Sequence, residues 1–302
     1  MSSFTISVLT NIGMISFVAL SAYLLLLAGE VSFGQQAFFG IGAYGAGIAT
    51  VLWGWPLMAA LALGAAAGAV AQLALAVPTL RLRGLYFSIA TLAFAEMVRI
   101  LFSLFRYRRE IDGVMLGPDG EHGFRDIRHV FDSGMGTAGF ALLVWGLLAI
   151  VLLGFLALEL SRFGPRLRMI GEDDVMASLN GIPVTRYKLA AATAAGALAA
   201  LGGGLYAHSV TYIEPGIITI MLGVHALAYG LIGGLGTAIG PILGVILDIG
   251  LLESLRWLAH YRMIIFGGLV ALLLVFRPRG LLDEALVHRL GRALRRLRHA
   301  AA

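Results

Sequence analysis

Residues 138–160 read AGFALLVWGLLAIVLLGFLALEL, and the only charge among them is Glu159. An α-helix rises 1.5 Å per residue, so about 20 apolar residues cross roughly 30 Å of hydrocarbon. This run is long enough. The same ruler, carried outward in both directions, places further helices near Phe4–Leu27, Val31–Leu52, Pro56–Val77, Leu85–Leu104, Leu189–Ala207, Ile217–Ile232, Ile239–Leu258 and Met263–Phe276. With Ala138–Leu160 that makes about nine transmembrane helices in one all-α, polytopic membrane domain spanning residues 1–302. The second and seventh are rich in glycine and are expected to be interrupted or re-entrant. The first lacks a charged n-region and a small-residue cleavage site, so it reads as a retained span rather than a signal peptide.

Composition agrees. Of 302 residues, 59% are hydrophobic and 13% charged, against roughly 45–50% and about 25% in a soluble domain. That excludes an ordinary soluble enzyme, a disordered chain and a disulfide-stapled secreted domain. There is no cysteine, hence no disulfide, thiolate nucleophile or cysteine metal site. The lone lysine, Lys188, follows Arg186-Tyr187. A phosphate-binding P-loop needs Gly-Lys-Ser/Thr, so ATP-driven work would draw its hydrolysis from a partner. No cofactor is expected in the chain itself.

Charge sets the orientation. Basic residues sit in short clusters flanking apolar runs, which is a membrane arrangement rather than a nucleic-acid patch. With nine spans, 14 of the 22 basic residues fall on one side: Arg81 and Arg83, the segment 161–188, and the C-terminal arginines. That side is expected to be cytoplasmic. The loop 105–137 falls outside, although it carries five arginines. The tail 283–302 alternates leucines with arginines, as a basic amphipathic helix on anionic headgroups or a solvated tail does.

The cytoplasmic segment 161–188 contains Ile170-Gly171-Glu172-Asp173-Asp174-Val175-Met176-Ala177-Ser178-Leu179-Asn180-Gly181. It predicts a short helix with Glu172, Asp173 and Asp174 in the first turn, where the helix dipole favours acids, and Asn180-Gly181 as its stop. So short a helix needs a surface. It either docks on a partner through Val175, Met176 and Leu179, with Ala177 permitting close approach, or lies on the membrane.

Inside the spans, Glu96 and Arg99 share a helix face, and Glu96 falls near mid-membrane. It is either an ion-pair partner or a pathway residue. Asp248, followed by Glu253 and Arg256, has the same two readings. Gln35 and Gln36 complete the pathway candidates. Gly64 and Gly68, and Gly236, Gly240 and Gly244, form faces on which helix backbones can approach closely. His208 and His225 lack metal-ligand spacing and read as interior histidines. The glycine-rich stretches 34–47 and 230–244 are candidates for an inverted repeat.

Several stretches resemble the branched-chain amino acid ABC-importer permeases, of the LivM type. They are Phe33-Gly34-Gln35-Gln36-Ala37-Phe38-Phe39-Gly40, Leu82-Arg83-Gly84-Leu85-Tyr86-Phe87-Ser88, Thr91-Leu92-Ala93-Phe94-Ala95-Glu96, Arg168 through Leu189, Gly233-Gly234-Leu235-Gly236, and Arg277-Pro278-Arg279-Gly280. Ser178, Asn180 and Pro183 depart from the family pattern, and so does the arginine-rich external loop. The resemblance implies an inner-membrane subunit that pairs with a second permease, two ATPase subunits and a periplasmic substrate-binding protein. It further implies that Glu172, Asp173, Asp174, Val175, Met176, Ala177, Leu179 and Gly181 form the helix that couples to the ATPases. An ion-coupled transporter or channel is the alternative reading.

Overall fold

The computed structural model describes residues 3–111, 113–132, 134–252, 261–277 and 280–282. Helix α1 (Ser3–Leu27) leads into α2 (Gln35–Val51), α3 (Leu57–Thr79) and α4 (Leu85–Leu104). Strands β1 (Arg109–Ile111) and β2 (Val114–Leu116), a 3₁₀ turn (Gly120–His122) and α5 (His129–Asp132) follow. Then come α6 (Thr137–Leu160), α7 (Phe163–Glu172), α8 (Asp174–Leu179) and α9 (Val184–Val210). After a 3₁₀ turn (Pro215–Ile217), α10 (Ile220–Gly233), α11 (Ile239–Val245), a wide π turn (Ile246–Leu252) and α12 (Arg262–Phe276) complete the described chain.

Helices α1 and α9 form the centre. Phe17, Leu20 and Tyr23 of α1 are fully buried, and the Tyr23 ring lies 5.9 Å from that of Phe155 on α6. Lipid tails are as apolar as leucine, so close backbone packing holds membrane helices together rather than exclusion from water. The glycines here serve that packing. A methyl group on Gly42 would run into the backbone of Ala200, and one on Gly203 into the carbonyl of Phe39. Gly64 lies against Gly42, and Gly68 against Gly196 and Ala200. The small-residue faces are thus helix contacts between α2, α3 and α9.

Among the described residues, six helical segments are long and apolar enough to cross a membrane: Phe4–Leu27, Leu57–Thr79, Leu85–Leu104, Thr137–Leu160, Val184–Val210 and Pro215–Gly233. The chain is therefore a multi-pass membrane protein. The count of nine is not confirmed: among the described residues α2, the α11 region and α12 are shorter than a full span. Helix α2 starts at Gln35 instead of Val31. Residues 28–34 are a loop held by hydroxyls of α4: Ser88 donates to the Val31 carbonyl at 2.7 Å, and Phe33 N–H donates to Thr91 Oγ1 at 3.1 Å. Non-helical backbone at membrane depth needs such protein partners. The eighth expected helix leaves α-register at Ile246. Gly236 precedes α11, so only Gly240 and Gly244 belong to its face; they pack on the backbones of Gly233, Gly234 and Tyr229.

The loop 105–137 adds a small hairpin to the all-α protein: β1 and β2 pair antiparallel, Arg109 opposite Leu116. Phe124 and Ile127 are buried there, and Phe124 exchanges backbone hydrogen bonds with Ile213 at 2.7 and 2.9 Å. Asp119 pairs with Arg108 and, at 3.9 Å, with Arg106. The loop is a folded cap over the ends of α2 and α9.

The bundle has two distinct ends. At one, the loop 28–34, the segment 161–183 and residues 234–238 and 280–282 meet. At the other, the cap meets Leu52 and residues 211–213.

Candidate functional site

The segment between α6 and α9 is the most polar part of the first end, and its local structure is tightly specified. It is two helices, not one. Glu172 closes α7, and Asp173 leaves helical geometry at φ −155°, ψ 106° to cap α8. Its Oδ1 accepts from the N–H groups of Val175 and Met176, both at 2.9 Å. The expectation of three acids in one first turn is thus corrected: a single side chain that takes two of the free N–H groups ends one helix and starts the next. Only Asp174 lies in the first turn. At the other end Gly181, at φ +76°, takes the left-handed conformation. Ile182 N–H then reaches the Ala177 carbonyl at 3.2 Å, and Gly181 N–H that of Ser178 at 2.9 Å. This pairing satisfies the last carbonyls of a helix.

So capped, α8 has two faces. Val175, Met176 and Leu179 are 52%, 61% and 77% exposed, while Ala177 is 1% exposed. Ala177 therefore faces its own subunit. The expectation that it lets a partner approach is overturned, because the inward face of a six-residue helix is set by its contacts and not by side-chain size. The outward face is an exposed apolar triplet.

Three ties fix this segment to the bundle. Lys188 Nζ lies 2.7 Å from Glu30 Oε1 in the loop after α1, and 3.7 Å from Asp174 Oδ2 on α8. Arg168 Nη2 donates to the Gly236 carbonyl at 2.9 Å and lies 3.7 Å from Glu159 at the end of α6. The Tyr187 ring stacks on Phe163 at 4.6 Å and its hydroxyl accepts from Arg166 Nη1 at 2.8 Å. Gly171 of α7 also abuts the backbone at Leu27 and Gly29. Sequence reasoning missed the roles of Glu30 and Glu159, and gave Arg168 only a place at the start of the coupling loop. One signal was available for the first: Glu30 is the only acid before Glu96, and Lys188 the only lysine.

The pathway candidates separate into two sets. Gln35, Gln36 and Asp248 are buried inside the subunit. Ser21 Oγ lies 2.5 Å from Gln35 Oε1, and Tyr229 donates to Asp248 Oδ2 at 2.6 Å. The Gln36 amide makes no hydrogen bond among the described residues. The structure does not bring these three to an open surface. Glu96 stands apart on α4, forked to Arg99 through Nε at 3.0 Å to each oxygen and Nη2 at 2.5 Å. Glu253, Arg256 and the tail 283–302 lie outside the described residues.

His208 is buried, with Nε2 3.0 Å from Thr50 Oγ1 and Nδ1 2.7 Å from the Gly204 carbonyl. It is a satisfied interior histidine. At the capped end Tyr212, which donates to Glu214 Oε2 at 2.9 Å, has its phenol pushed above the ordinary value by burial first and that hydrogen bond second.

Residues 4–276 match the family described as branched-chain amino acid transport system / permease component. The chain belongs to that permease family. Among its relatives are the high-affinity branched-chain amino acid transport system permease proteins LivM of Salmonella typhimurium, 31% identical over 85% of this chain, and LivM of Escherichia coli, 30% identical over the same share. The chain spans 64% of the length of each. BraD of Pseudomonas aeruginosa is 29% identical over half of each chain. No solved structure matches. The matched range runs from α1 to the end of α12, so the capped α7–α8 segment and the Glu96–Arg99 pair both belong to the permease unit.

Proposed function

We propose that this chain is the transmembrane permease subunit of an ABC importer for branched-chain or related amino acids. In this reading it sits in the bacterial inner membrane as a single transmembrane domain, with its C-terminus cytoplasmic. A second permease completes the pathway, two ATPase subunits bind at the cytoplasmic face, and a periplasmic binding protein delivers the substrate to the opposite face. ATP is used by the partners, and the chain itself performs no bond chemistry.

The observation that carries the reading is α8. A capped helix of six residues presents Val175, Met176 and Leu179 outward at the arginine-rich end of the bundle, and Lys188 ties it to both α9 and the loop after α1. An exposed apolar triplet on a rigid mount is suited to seat in a partner's groove and pass its motion to the spans. Glu172, Asp173, Asp174 and Gly181 shape and charge that mount, and Ala177 anchors it from behind.

The test is reconstitution of the permease pair with its ATPases and binding protein in proteoliposomes. ATP-dependent uptake of leucine, isoleucine or valine supports the reading. Uptake that needs a proton or sodium gradient and no ATP contradicts it.

A further inference from the structure

Helix α4 carries a charged pair at membrane depth on a surface that the rest of the subunit leaves open. Glu96 lies eleven residues after Leu85 and eight before Leu104, about 16 and 12 Å along the axis. Around this helix, Phe87, Ser88, Thr91, Ala95 and Val98 are buried against the bundle, while Met97, Ile100, Leu101 and Leu104 are exposed and wholly apolar. Between these faces, on one flank, Leu92, Glu96, Arg99 and Ser103 follow at steps of four, three and four and are half-buried. The side chains of Glu96 and Arg99 are 41% and 37% exposed.

Charged groups at this depth are costly against hydrocarbon and are found facing a watery cavity or a protein neighbour. The neighbouring face of the same helix, with Met97 and Leu101, suits lipid. The flank with the pair does not.

The geometry of the pair adds a second observation. Arg99 uses Nε and Nη2 on Glu96, and its Nη1 makes no hydrogen bond among the described residues. The outer edge of the guanidinium is left to accept a carboxylate in a fork. The Glu96 oxygens keep lone pairs for an ammonium group. An α-amino acid presents these two charges on one carbon. Because Glu96 and Arg99 already neutralise each other, the contact carries no net charge and does not trap the zwitterion.

We propose that the Leu92–Glu96–Arg99–Ser103 flank of α4 is the water-facing wall this subunit contributes to the pathway, and that Glu96 and Arg99 together read the zwitterionic head group of the passing amino acid. The inference rests on the importer reading above.

The chain contains no cysteine, which makes the test direct. Single cysteines replace Leu92, Ser103, Met97 or Leu101 in the reconstituted importer, and a membrane-impermeant methanethiosulfonate reagent is added. Leu92→Cys and Ser103→Cys are expected to react, and Met97→Cys and Leu101→Cys are not. In the nucleotide-trapped complex without binding protein, whose own selectivity is thereby removed, saturating leucine slows labelling of Ser103→Cys at least threefold and leucinamide does not. Arg99→Lys, which keeps the charge but loses the fork, lowers leucine uptake at least tenfold while ATPase attachment is unchanged. Unreactive cysteines at 92 and 103 in a complex that transports leucine overturn the wall. Equal protection by leucinamide, or full uptake by Arg99→Lys, overturns the head-group reading. Absence of ATP-driven uptake in the unaltered complex overturns the importer reading and this inference with it.

Discussion

Lys188, the fifth residue of α9, holds Glu30 in the loop after α1 at 2.7 Å, with both side chains largely shielded from solvent. The two residues are 158 positions apart. Their pairing places the only lysine of the chain where the start of α9, the end of α1 and α8 converge. Removing one partner of a buried pair strands the other charge and costs about 3–5 kcal/mol. Lys188→Met is therefore expected to lower the thermal unfolding midpoint in detergent. Adding Glu30→Gln removes the stranded charge and should recover a large part of the loss. A double variant no more stable than the single one contradicts the pairing.

The capping of α8 rests on two positions. Asp173→Ala leaves the Val175 and Met176 N–H groups without their acceptor, a loss of about 0.5–2 kcal/mol. Gly181→Val forces a branched side chain into a left-handed backbone at φ +76°, which costs at least about 1–2 kcal/mol. Both changes act on α8 while the spans stay folded. Hydrogen exchange measured by mass spectrometry should quicken across residues 174–182 and stay unchanged in α3 and α9.

Glycines with and without a close neighbour should behave oppositely. Gly42→Ala places a methyl group into the Ala200 backbone and must push α2 from α9; overpacking of this kind costs about 1–3 kcal/mol. Gly146→Ala meets nothing within 4 Å, and alanine gains up to about 1 kcal/mol in helix propensity. Thermal inactivation in detergent should come earlier for Gly42→Ala and be unchanged or later for Gly146→Ala.

The membrane spans were legible because a bilayer demands long apolar runs, and Phe4–Leu27, Leu85–Leu104 and Ala138–Leu160 end within a residue or so of the observed helices. What hydropathy does not record is where an apolar run stops being helical. The loop before Gln35 and the π turn at Ile246 each carry a single acid within otherwise apolar or small residues, and hydroxyls from another helix stabilise the first of them. In the candidate site, the residues of α8 were readable from composition, but their directions were not. Three consecutive acids hid which one is the cap, and only tertiary contact turns Ala177 inward. Glu30 belongs to the same mount, yet it lies 158 positions from the lysine it meets, and Glu159 meets Arg168 only because the chain turns between α6 and α7.

If α8 seats in the partner ATPases through its exposed apolar triplet, their binding depends on Met176 and Leu179. The most direct measurement is the affinity of the purified ATPase for the permease complex in nanodiscs, wild type against Met176→Asp/Leu179→Asp. These side chains face outward, so the permease itself should keep its unfolding midpoint. Losing a well-packed contact at each of two positions costs about 1–3 kcal/mol apiece, roughly ten- to hundredfold in affinity for each. The expected result is a weakening of at least tenfold, with loss of leucine-stimulated ATP hydrolysis. Wild-type affinity together with wild-type stimulated hydrolysis in the double variant would contradict it.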